Sequence, residues 1–97
     1  MTILNNHSHP VKKKDIVYQS MPPDTILLNL DNGFYYSTNE IGAEVWDCCD
    51  GRHSIIDIIK HISNQYNVSA DEIKNDVLSF IVDMKKEGLL QIQNDEV

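Results

Sequence analysis

No apolar run in this chain approaches the roughly 20 residues needed to cross a bilayer, and its only two cysteines, Cys48 and Cys49, are neighbours. Adjacent cysteines close no useful loop, because Cα atoms about 3.8 Å apart strain a bridge that prefers about 5.5–6 Å. They also lack the C-x-x-C spacing of a redox or zinc site, so both are expected to act as small apolar fillers on a helix. Cations are scarce too: 8 lysines and arginines stand against 15 aspartates and glutamates, for a formal net charge of −7. A nucleic-acid binder needs the opposite balance to release counterions from phosphate. Acidity suits solubility or a partner with basic residues. Also missing are a glycine-rich phosphate loop, a G-x-S-x-G and an H-E-x-x-H. The carboxylates scatter over helix surfaces, and neither cysteine has an evident histidine beside it. No catalytic residue, metal or cofactor is therefore expected, and the chain reads as a non-enzyme.

What is present fits one modest domain of 97 residues, 41% of them hydrophobic, without internal repeat. Met1 opens a polar stretch with no h-region or cleavage signature, which argues for a cytoplasmic protein, expected as a monomer with a dimer as the alternative. Residues 1–14 read as a flexible arm, with 15–93 as the domain and 94–97 as a tail. Within the arm, His7 and His9 lack carboxylate or thiolate neighbours for a metal, and Lys12, Lys13 and Lys14 suit a solvated tail.

Asp15–Ser20 has the β-branched and aromatic content of a strand. Met21-Pro22-Pro23-Asp24 breaks it. A second strand covers Thr25–Leu30, and Asp31-Asn32-Gly33 is a tight-turn signal because asparagine and glycine tolerate positive φ. Phe34–Ser37 makes the third strand. Short turns predict an antiparallel meander with that third strand at one edge. Across a two-residue loop, Leu28 and Leu30 share a face with Tyr35 and Ser37, while Phe34 and Tyr36 fall with Leu27 and Asn29; a three-residue loop inverts this. Each face is partly apolar, so the sheet is expected to be covered on both.

Three helices follow. Ser37 before Glu40 predicts a capping box for a helix running to about Cys49, with Ile41, Val45, Trp46 and Cys49 as its buried stripe and Asp50-Gly51 as its stop. Ser54 before Asp57 starts the second, which buries Ile55, Ile58, Ile59, Ile62 and Tyr66; His53 and His61 belong at its rim. Ser69 before Glu72 caps the third and longest, ending at Gly88, after which Leu89–Gln93 suggests a short strand. Ile73, Val77, Phe80, Ile81 and Met84 share one arc of the third helix. Leu78 and Val82 lie outside it beside Lys74 and Lys85, and form either part of a wide buried front or a shallow stripe facing a cleft.

The fold class is α+β, winged-helix-like: a three-stranded antiparallel sheet followed by three helices. A winged helix invites a DNA-binding reading, but on the last helix Lys74, Lys85 and Lys86 are outnumbered by Asp71, Glu72, Asp76, Asp83 and Glu87. Phosphate would repel it. A different question is why an aromatic strand edge as sticky as Phe34-Tyr35-Tyr36-Ser37 should be left bare.

LLNLDNGFYYSTNEIGAEVW at 27–46, the Asp50-Gly51 stop, and DVLSFIVDMKKEGLL at 76–90 resemble the coenzyme PQQ synthesis protein D family over roughly residues 16–92. The most specific part is G-x-Y-Y-x-x-N-E-x-G-x-x-x-W, Gly33 to Trp46. The resemblance implies a domain that binds the leader segment of a ribosomally made precursor peptide as an added strand on the third strand, with leader side chains beside the third helix. It implies peptide contacts at Phe34, Tyr35, Tyr36, Ser37, Lys74, Leu78, Ile81, Val82 and Lys85. Asn29-Leu30-Asp31 stands where members serving PQQ synthesis carry a proline–glutamate pair, and Thr38 where leucine is commoner. The chain thus looks most like the stand-alone leader-binding proteins of lasso-peptide pathways, whose partners are a leader peptidase and a cyclase. The alternative is a PQQ-type or sactipeptide precursor chaperone that partners a radical SAM enzyme.

Overall fold

A computed structural model describes residues 7–93. Along the chain run β1 (His9–Lys12), β2 (Ile16–Met21), β3 (Asp24–Asn29), β4 (Tyr35–Thr38), α1 (Glu40–Asp47), α2 (Ile55–Tyr66), α3 (Ala70–Lys86) and β5 (Leu90–Gln93). The three-stranded sheet has the order β2-β3-β4, antiparallel throughout, and β1 pairs with β5 in a separate two-stranded ribbon.

The expected meander and three helices are all present. Between Asn29 and Phe34 the chain turns through Leu30–Gly33, with Gly33 at φ 77°. Two asparagine side chains hold the turn: Asn29 Oδ1 accepts the Asp31 N–H and Asn32 Oδ1 accepts the Phe34 N–H, each at 2.9 Å. This connection is even in length, so it preserves the expected faces: Tyr36 stands opposite Leu27, and Tyr35 opposite Leu28. Thr25, Leu27 and Asn29 are buried on the inner face. The outer face is not covered as expected; among the described residues Val17 and Tyr35 remain 43% and 70% exposed there.

The core lies between the inner face and the helices. Leu27, Val45, Ile55, Ile58, Ile62, Val77, Ile81 and Met84 are fully buried, each contributing about 1.5–3 kcal/mol against the unfolded chain. Ser54 and Asp57 form the expected capping box on α2, and Ser69 caps α3.

Two further expectations are corrected. The cap of α1 is Asn39 rather than Ser37: its Oδ1 accepts the Gly42 N–H at 2.9 Å, while Ser37 remains in β4 opposite Ile26. The arm assigned to residues 1–14 is in fact strand at His9–Lys12, and Ser8 and Pro10 are buried. Backbone bonds fix this segment from several directions. Lys12 N–H donates to the Cys49 carbonyl, Lys13 N–H to Leu89, Gly51 N–H to Pro10 and Ile55 N–H to Ser8, all at 2.9–3.0 Å. A polar composition does not prevent a backbone ladder. The rest of the arm, residues 1–6, and the tail at 94–97 lie outside the described residues.

Candidate peptide-binding edge and cleft

Hydrogen-bond alternation decides which β4 groups are available. The Asn29 N–H donates to the Phe34 carbonyl at 2.9 Å. In an antiparallel ladder, bonded pairs recur at every second residue, so Tyr36 and Thr38 direct their N–H and C=O groups at Leu27 and Thr25 of β3. The neighbouring pair of strands agrees: Leu30 N–H donates to the Asp15 carbonyl at 2.8 Å, which turns Leu28 and Ile26 towards β2 and leaves Leu27 and Thr25 for β4. The N–H and C=O groups of Tyr35 and Ser37 therefore point outward. No strand among the described residues meets them.

Beneath that edge runs a cleft between the start of α1 and one side of α3. A hollow of about 240 Å³ is lined by Asn39, Ile41, Asp76, Ser79, Phe80 and Asp83. Tyr36, half-buried, points into the same region. Partial burial raises its phenol pKa, and the nearby charges of Asp83 and Glu87 raise it further. α3 can come this close because of Gly42. A Cβ there would overlap the Thr38 hydroxyl and come within 2.9 Å of the Phe80 ring. The buried Thr38 Oγ1 has no hydrogen-bond partner among the described residues.

The expected contact residues divide. Phe34 and Tyr35 are each 70% exposed, and Tyr35, Tyr36 and Ser37 lie on the open strand. Ile81 is fully buried in the core. On α3, Leu78 and Val82 point about 160° away from Phe80 at 100° per residue. They line an adjoining hollow with Asn75, Ser79 and Asp83, the last two of which also line the Phe80 cleft. Lys85 stands with Ile81, Val82 and Lys86 at another depression, and Lys74 faces α2 beside Ile56, Ile59 and Lys60. On α3, Asp83 and Glu87 act on Tyr36 of β4, and Phe80 lies close to Gly42. The sequence offered one clue to this rotation: Gly42 is the small residue that lets an aromatic of α3 approach α1.

The thiols take no part in this site. Cys49 is fully buried and its Sγ donates to the Val45 carbonyl at 3.1 Å. Burial pushes its pKa up to about 12, with Cys48 adding to the effect. Cys48 is pushed up to about 11 by burial, then by Glu44 and other nearby carboxylates. Both stay protonated at neutral pH and are poor nucleophiles. The two histidines sit at the rim as expected, His53 2.9 Å from Asp50 and His61 3.1 Å from Glu44.

The family model for coenzyme PQQ synthesis protein D (PqqD) matches residues 24–90, from β3 through the first residue of β5. The chain belongs to the PqqD family. Two solved structures share its fold. One is described as TbiB1 in complex with the TbiA(beta) leader peptide: 20% identity, TM-score 0.72, covering 84% of this chain and 94% of that one. The other is described as lasso peptide synthetase B1 complexed with the leader peptide: 18% identity, TM-score 0.72, covering 86% and 98%. No curated protein sequence matches the chain. In PqqD-family terms, the matched segment contains the open strand, Gly42 and the whole of α3. None of the helices in the described residues is long and apolar enough to cross a membrane.

Proposed function

We propose that this chain binds the leader segment of a ribosomally made precursor peptide as a strand added to β4, and presents that precursor to the peptidase and cyclase of a lasso-peptide pathway in the cytoplasm, without chemistry of its own. The observation that carries the reading is the pair of outward backbone sites at Tyr35 and Ser37 above the Phe80 cleft. It is a short stretch of unsatisfied ladder beside a cleft of mixed apolar and acidic lining, the arrangement used in strand addition. Two leader complexes on the same fold support the same choice. Alternate leader side chains fall into the cleft beside Tyr36, Ile41 and Phe80, while the remainder stand over the outer face near Tyr35.

The cleft also has a charge preference. Asp76, Asp83 and Glu87 border it and no lysine is among its described lining residues. A leader with an apolar anchor flanked by lysine or arginine suits this wall better than an acidic one. A disordered leader gives up conformational entropy on binding, offset by ladder bonds and a few anchors, which suits a complex that must release its cargo.

The test is a nitrogen-15 spectrum of the full chain titrated with the leader encoded beside its gene. Saturable shifts at Tyr35, Ser37 and Phe80 are expected. Shifts that avoid β4 and α3 altogether would overturn the reading.

A further inference from the structure

The other edge of the same sheet is open as well. The Asp15–Leu30 bond makes Asp15, Val17, Gln19 and Met21 the residues that bond β3. The N–H and C=O groups of Ile16, Tyr18 and Ser20 consequently point away from the sheet, and no strand among the described residues meets them. Pro22 and Pro23 lie beyond these three positions, in the hairpin loop, and block none of them.

Beside this edge, between β2 and α1, lies a hollow of about 360 Å³. Tyr18, Ser20, Thr25 and Ala43 line it, and its other lining side chains include Asp24, Glu40, Glu44 and Asp47. Glu40, Glu44 and Asp47 recur at i, i+4 and i+7, which sets them in one stripe about 10 Å long on α1. No lysine or arginine is among the described lining residues. Two side chains approach from outside it: Lys12 Nζ donates to the Asp47 backbone carbonyl at 3.5 Å, and the His61 ring meets Glu44 at 3.1 Å. Partial burial raises the Asp47 carboxyl pKa, against the lowering effect of Lys12, and Glu44 raises it further.

We propose that the β2 edge is a second docking surface, for an extended segment of a partner protein that carries lysine or arginine at alternate positions. Its backbone pairs with Ile16, Tyr18 and Ser20, and its cationic side chains lie against Glu40, Glu44 and Asp47. The unpaired edge selects an extended chain and the carboxylate stripe selects its charge. The two edges lie on opposite sides of the sheet, so a leader on β4 and a partner segment on β2 occupy the domain together.

The probe is a short capped peptide alternating threonine and lysine, titrated into the nitrogen-15-labelled full chain. Saturable shifts are expected at the amides of Ile16, Tyr18, Ser20 and α1, with Tyr35 and Ser37 unmoved. The double variant Glu44→Gln/Asp47→Asn is expected to weaken binding about tenfold or more. Glu40→Gln, an exposed first-turn change, is expected to act in the same direction and guards against misfolding of the double variant. A peptide alternating threonine and glutamate is expected to leave the spectrum unchanged. Absent shifts, unsaturable shifts over the whole acidic surface, shifts confined to β4, or unchanged affinity in the folded variants would each overturn the proposal. Tyr35 and Ser37 report on the leader edge in the same spectra, so failure at β2 is separable from failure at β4.

Discussion

Proline scanning of β4 separates a peptide-binding edge from a merely exposed strand. Proline removes one N–H and fixes φ near −65°, so its effect depends on where the lost donor pointed. At Ser37 the N–H points outward. Ser37→Pro therefore leaves the β3–β4 ladder intact and deprives the leader of one bond. Such a bond is worth about 0.5–1.5 kcal/mol net, or about 1–3 kcal/mol if the leader carbonyl is left buried without a partner. At 25 °C the upper range corresponds to a roughly five- to 150-fold rise in Kd. At Tyr36 the N–H points at Leu27, which is fully buried. Tyr36→Pro breaks the ladder and the half-buried tyrosine packing together, at a cost of about 2–4 kcal/mol of folding stability. Calorimetric titration with the leader measures the first effect, and urea unfolding the second. A folded Ser37→Pro that binds like the parent, with a Tyr36→Pro that loses binding but not stability, would show the ladder phase assigned here to be reversed.

The cleft wall is tested by a pair of substitutions on opposite sides of α3. Phe80→Ala is expected to weaken the leader by about 1–3 kcal/mol, whereas Val82→Asp, on the far side, leaves titration unchanged; the reverse result would place the wall at Leu78 and Val82. Gly42→Ala forces a methyl into the Thr38 hydroxyl and the Phe80 ring, for a loss of about 1–3 kcal/mol or more in urea unfolding. Asp57 accepts the Ser54 N–H and its pKa is lowered chiefly by that bond, so its contribution to stability is present above the unfolded value near 3.9 and is lost as pH falls through the lower folded value. The stability gap between the parent and Asp57→Asn should accordingly close as the pH falls below about 4, monitored by circular dichroism melts. Replacing Cys48 and Cys49 by alanine should cost about 1–2 kcal/mol per buried site and leave leader affinity unchanged; loss of affinity in a folded variant would contradict their role as fillers.

Periodicity revealed the elements but not how they are turned against one another. The helix stripes of α2 and α3 were legible because aliphatic residues spaced at helical intervals have one way to be buried together. The faces of β3 and β4 were legible because parity survives any even loop. The α1 cap was not, because Ser37 and Asn39 both carry cap-competent side chains, and the choice fell to whichever lay outside the ladder. β1 was hidden because its partners, Leu90–Gln93 and the Cys49–Gly51 turn, are distant in sequence and bond through backbone. The place of Phe80 was not legible for a related reason: Leu78 and Val82 look like a ligand stripe by composition, whereas Phe80 is the α3 residue close to Gly42. The rotation of α3 follows instead from its close approach to α1 at Gly42, a tertiary fact that no local pattern contains.

The β1–β5 ribbon has a topological consequence. His9 lies directly across from Gln93, and antiparallel partners sit about 4.5–5.5 Å apart, so the polypeptide enters and leaves the domain through one doorway. The open edge of β4 belongs to the other sheet. A host protein that received this segment as an insertion would need to part its own chain by only that small gap, and the peptide-facing strand would keep its shape whether the graft was internal or at an end. Circular permutants that join residue 93 to residue 7 through a short linker, which keeps the buried Ser8, with new ends cut in an exposed loop, should on the same ground retain leader affinity.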